Sequence, residues 1–127
     1  MSVSFGMRAA RKIKGGYELV PESKWFFINS NVLQGIMDHV EGESDDDGET
    51  AFSFDWFDTA LDANETQKPT AKSCLRPKDM LEMLYFVEKR LKSDPSVNQY
   101  YEREVKSMIE VCEEAGKKGH LIFTMLG

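Results

Sequence analysis

Asp55 and Asp58 stand three residues apart in the run Phe54-Asp55-Trp56-Phe57-Asp58. Paired carboxylates beside aromatic rings are the groups that glycoside hydrolysis uses. An apolar setting raises a carboxyl pKa, so one acid of a pair can hold a proton while its neighbour stays ionised. The same spacing has a plainer use, because an Asp at a strand-to-helix junction caps the first turn of the helix. A pair alone fixes no geometry. Capping is the expected role, and no catalytic residue is assigned.

The carboxylates just before this pair invite a calcium reading. With Gly48 at the sixth position of an EF-hand loop, Glu43, Asp45 and Asp47 fall on the first, third and fifth ligand positions. The twelfth position, which needs a bidentate Glu, is then Phe54, and the ninth is Ala51. A phenyl ring has no oxygen to give. No metal site and no cofactor are expected.

Nucleophilic arrangements are equally incomplete. Cys74 lies between Lys72 and Arg76, which would lower its pKa if it were exposed, but no His is close in sequence. Cys112 falls on an apolar helical stripe, where a core thiol is the simple expectation. His39 follows Asp38 near a helix end, and His120 precedes an apolar run. Neither belongs to a metal-ligand or triad spacing.

The strongest signal is electrostatic. Of 22 acids and 16 bases, eleven acids and no base lie between Asp38 and Glu65. That stretch carries −11, and the remaining 16 bases against 11 acids give the rest of the chain +5. Set in the acidic field are Phe52, Phe54, Trp56 and Phe57. A patch of one sign steers an oppositely charged partner, and aromatic side chains within it supply anchors. The expected partner-binding residues are Asp45, Asp46, Asp47, Glu49, Asp55, Trp56, Phe57 and Asp58. The plainer alternative is that Trp56 is ordinary core and the acids are a solvated turn.

The elements that must position these groups follow from periodicity. Val3, Phe5, Met7 and Ala9 alternate with polar or small residues as a half-buried strand does. Gly15-Gly16 marks a turn, Tyr17 to Val20 returns, and Pro21 ends the pairing. The bases Arg8, Arg11, Lys12 and Lys14 surround this hairpin as a solvated, charge-protected edge. A phosphate contact there lacks the interleaved aromatics and the Gly-rich loop that would support it.

Trp25 to Ile28 is a dense apolar run, followed by a helix with Asn29 or Ser30 as cap, Val32, Leu33, Ile36, Met37 and Val40 as its face, and Gly42 as its stop. Residues 41–50 form an acidic loop expected to be mobile. Phe52, Phe54 and Trp56 then read as a strand, a short helix passes through Leu61, and a polar linker ends at Ser73. Pro77 opens a long helix with Met80, Leu81, Leu84, Val87 and Leu91 on one face. A second, capped by Ser96, carries Tyr101, Val105, Met108, Ile109 and Cys112 and ends at Gly116. Leu121 to Leu126 closes the chain as a central strand.

The expected fold is α+β, in two layers, over residues 1–127 as one domain. A small mixed or antiparallel sheet, built from the N-terminal hairpin, a middle strand and the C-terminal strand, is packed by an antiparallel pair of long helices plus one shorter helix. No apolar run is long enough to span a bilayer, none resembles a signal-peptide core, and a cytoplasmic location is expected. The net charge of −6 disfavours direct binding to nucleic acid or to an anionic membrane.

The function expected from these features is non-enzymatic. An acidic surface engages a basic protein and occludes it, in the manner of an inhibitor or immunity protein. The alternative is a small enzyme or ligand-binding domain, with Asp55, Asp58 and His39 or His120 in a cleft lined by Trp25, Trp56 and Tyr85. Sequence leaves the oligomeric state open.

Overall fold

The structure is a computed structural model that describes residues 4–42 and 68–126, the side chains of 39–42 excepted. Its described elements are β1 (Ser4–Ile13), β2 (Gly16–Leu19), β3 (Phe26–Asn29), α1 (Ser30–Gly42), β4 (Cys74–Leu75), α2 (Pro77–Lys92), α3 (Pro95–Lys117) and β5 (Leu121–Leu126). They form an α+β fold in which an antiparallel sheet of five strands packs against three helices.

Strand β1 is the axis of the sheet. Its residues 4–7 pair with β3 and its residues 10–13 with β2. Residues 5–10 pair with β5 on the opposite edge, in the register Phe5↔Leu126 to Ala10↔Leu121. Strand β5 is in turn covered by β4, with Cys74 opposite Phe123 and Leu75 opposite Ile122. The two-residue turn between β1 and β2 is Lys14-Gly15, with Gly15 at φ 89°, a conformation that costs an L side chain about 1–2 kcal/mol.

Alternation along β1 divides the two sheet faces. Phe5 and Met7 are fully buried beneath the helices with Ile28 of β3 and Ile122 of β5. Above them, α2 contributes Met80, Leu84, Val87 and Leu91, and α3 contributes Val105, Met108, Ile109, Cys112 and Ala115. Burying one such large apolar side chain contributes roughly 1.5–3 kcal/mol. Helix α1 adds Leu33, Ile36 and Met37 to the same core.

Helix ends differ in detail from the sequence expectation. Pro77 does open α2, and Asp79 in its first turn pairs with Arg76 at 2.9 Å. Helix α3 begins at Pro95, one residue before the expected cap, and Ser96 gives its hydroxyl to Asp94 at 2.7 Å instead. Its last residue is Lys117, one beyond Gly116. The expected middle strand at Phe52–Trp56 and the short helix after it lie outside the described residues, as does the acidic loop beyond Gly42; Glu41 and Gly42, counted in that loop, are the last two residues of α1. Leu121–Leu126 is paired on both edges, as a central strand requires.

Candidate functional site

The structure offers two candidate surfaces, one on each side of the sheet. On the helix side, a groove of about 740 Å³ lies between α3 and the hairpin. Its apolar floor comes from Ala9, Val20, Val111 and Ala115, and its rim carries charges of both signs. Two rim cations are already engaged: Arg11 donates from Nε to Glu18 at 2.6 Å, and Lys118 lies 3.0 Å from Glu114. Lys118 also holds the Glu114 carboxyl below its usual pKa. His120 lines this groove, and neither cysteine does.

Among the described residues, no helix covers the other face of the sheet. There Ala10 and Phe123 are buried under Trp25, with Leu19, Cys74 and Met125 at their margins. Trp25 stacks on Phe27 with ring centroids 5.4 Å apart at 18°, and meets Phe123 edge-on at 6.0 Å and 63°. The Arg8 guanidinium lies 5.6 Å from the Trp25 ring. It is held there by Ser23 Oγ at 2.9 Å and the Val20 carbonyl at 3.2 Å, both neutral acceptors. Gly6 makes the arrangement possible, because a Cβ at that position would fall 2.8 Å from Phe27 Cε1.

Sequence reasoning missed this cluster. Its bases were legible as a hairpin edge, but its aromatics lie on other strands. The available signal was the small residues Ser4, Gly6 and Ala10 at every other position or so on β1. They leave room that large side chains from elsewhere must fill.

The residues expected to bind a partner, Asp45, Asp46, Asp47, Glu49, Asp55, Trp56, Phe57 and Asp58, lie outside the described residues. So do Glu43 and the remaining EF-hand positions, and so does the side chain of His39. Among the described residues, no group of three or more His, Cys, Asp or Glu could hold a metal ion. The other members of the expected aromatic cleft are not brought together. Trp25 is on the sheet face opposite the described helices, whereas Tyr85 is on α2, where its hydroxyl donates to Glu113 of α3 at 3.0 Å.

Cys74 does not meet the condition of exposure under which Lys72 and Arg76 would lower its pKa, since it is partly buried. Burial raises its pKa, although hydrogen bonding with Ser73 and the Thr70 backbone works the other way. Burial also pushes Cys112 up to about 12, with a smaller contribution from Glu113. Both thiols are therefore poor nucleophiles in the folded protein. At about pH 8, where a free thiol is partly ionised, a disulfide reagent should label Cys112 only after denaturant is added. Rapid labelling of Cys112 in the native protein would show that α3 opens locally. The folded state also holds these protons above the pH at which the unfolded chain releases them. Stability should thus fall as pH rises from about 8.5 towards the folded value for Cys112, and Cys112→Ala should flatten that decline.

The fold defines a class: a two-layer α+β protein with the described helices on one face of its sheet and an aromatic cluster on the other. Comparison with protein families, curated proteins and solved structures finds no match to this chain. Among the described residues, no helix is long and apolar enough to cross a membrane.

Proposed function

We propose that this protein is a small, non-enzymatic binding protein whose acidic stretch, Asp38 to Glu65, engages a basic macromolecular partner. Charge segregation carries the reading. Eleven carboxylates without one intervening base repel each other, and their free energy falls when a cationic surface supplies the missing countercharge. Several cations of the folded body are committed elsewhere: Arg11 to Glu18, Arg76 to Asp79, Lys92 to Glu88 and Lys118 to Glu114. The proposed mechanism is occlusion, with carboxylates seated where the partner would otherwise hold phosphates. Trp56 and Phe57 are the proposed anchors. The cleft-based alternative gains no support from the described residues, since Trp25 and Tyr85 lie apart and the groove has no aromatic lining.

The test is capture from native lysate at low salt by the wild-type chain and by the variant Asp45→Asn, Asp46→Asn, Asp47→Asn. A basic protein should be retained by the wild type and lost with the variant. With that partner purified, the variant should bind about tenfold more weakly or worse, with most of the loss in the association rate. The wild-type affinity should fall steeply as ionic strength rises. Affinity indifferent to both salt and the three substitutions would end the proposal.

A further inference from the structure

We propose that the sheet face opposite the described helices is a binding platform for single-stranded nucleic acid. This inference uses none of the residues invoked for the basic partner, and either can fail without the other.

The strand registers decide which side chains share this face. Arg8 and Lys12 of β1 point the same way as Gly6 and Ala10, Tyr17 lies opposite Lys12, and Phe27 lies opposite Gly6. Phe123 lies opposite Arg8 on the other edge. No carboxylate occupies an outward position on any described strand of this face. In a chain with 22 acids that separation of charge selects for a negative ligand. The net charge of −6 conceals it. Nine acids and no base lie in residues 43–67, so the remainder has 16 bases against 13 acids and carries +3.

Among the described residues, no carboxylate pairs with Arg8, and its guanidinium is fixed. Arg8 spends N–H donors on a hydroxyl and a carbonyl, neither of which neutralises it, and Trp25 packs beside it. Beside this charge, Phe27 leaves 54% of its surface open although Trp25 stacks against it. An exposed ring fixed by a stacked neighbour and by close approach to backbone is a preorganised surface for another flat ring. Single-stranded nucleic acid supplies both complements, a base for Phe27 and phosphates for Arg8 and Lys12. An acidic peptide supplies carboxylates without requiring a π face, so it leaves the open ring unexplained. The hairpin bases thus acquire, from β3 and β5, the aromatics that the linear sequence did not place among them.

The experiment is fluorescence anisotropy of a labelled, mixed-sequence DNA oligonucleotide of about 12 nucleotides, within the usual range for one such platform, titrated with the full chain at low salt. Saturable binding that weakens with added salt is expected. Phe27→Ala removes a stacking surface from an exposed position and should cost about tenfold or more in affinity, with the thermal transition retained. Lys12→Glu, also exposed, should weaken binding without altering the fold. The Asp45→Asn, Asp46→Asn, Asp47→Asn variant should bind the oligonucleotide at least as tightly as the wild type. The proposal is overturned by no binding at low salt, by binding that ignores both Phe27→Ala and Lys12→Glu, or by loss of binding in the triple Asn variant. Displacement of the oligonucleotide by polyglutamate at equal charge would also overturn it, since the face would then be reading charge alone.

Discussion

Phe5→Ala should lower the free energy of unfolding by about 3–5 kcal/mol, read as a shift of the urea midpoint at unchanged slope. The phenyl ring has no exposed surface, and it lies on the strand that joins both halves of the sheet. Its register partners are Ile28 on one side and Leu126 on the other. Truncation removes the ring's transfer free energy and leaves a cavity between sheet and helices that paired backbone cannot collapse to fill. A protein of this kind has only about 5–15 kcal/mol in hand, so the variant should be near the threshold of folding. A loss below about 1 kcal/mol is the cost of an ordinary surface change. That result would mean that Phe5 does not sit between the layers.

Met108→Lys should be worse still, and should remove the cooperative transition altogether at room temperature. Met108 is fully buried on the stripe of α3 that faces α2 and the sheet, among Leu84, Val87 and Val105. An ammonium placed there loses its hydration and meets no buried carboxylate among the described residues, a penalty of several kcal/mol. Met108→Leu separates charge from shape, because a volume-conserving apolar exchange usually costs less than about 1.5 kcal/mol. The pair can be compared by circular dichroism and thermal melting. Folding of Met108→Lys with a near-native midpoint would place this side of α3 in solvent and undo the assigned packing.

Much of this architecture was legible because local patterns and the tertiary solution agree. Strand β1 alternates, α2 and α3 each carry one apolar stripe, and Leu121–Leu126 is apolar almost throughout. Two strands were not readable in that way. Strand β3 emerges from the run Trp25–Ile28, whose continuous apolarity has no period, and passes directly into α1 at Ser30. Strand β4 has two residues and follows what reads as a polar linker. It exists because β5 presents a free edge, and because Ser73, fully buried, accepts the Thr124 N–H at 3.1 Å. Such pairing is tertiary and leaves little local trace.

The functional surfaces were less legible than the fold. Spacing suggested a core thiol at Cys112, which the structure shows, and left Cys74 conditional on exposure, since sequence proximity to bases says nothing about burial. The aromatic face escaped because its members come from β1, β3 and β5 and from the segment before β3. Only register brings them together. The acidic residues from Asp45 to Asp58 were conspicuous by charge, yet charge names a kind of partner without giving the geometry of its seat.

The pairing of β1 with β5 also sets an order of assembly. These strands come from opposite ends of the described chain, and closing so long a loop must precede any return from their hydrogen bonds. During synthesis β5 is the last described element to appear, so β1 waits with one edge unpaired while everything between is made. The two long helices are neighbours in sequence, joined through Ser93-Asp94, and need no such wait. They can form a hairpin early, with Leu84, Met108 and the rest of their shared stripe facing water. The helix layer is thus ready before the sheet it covers, and the nascent chain is most prone to aggregate just before β5 arrives.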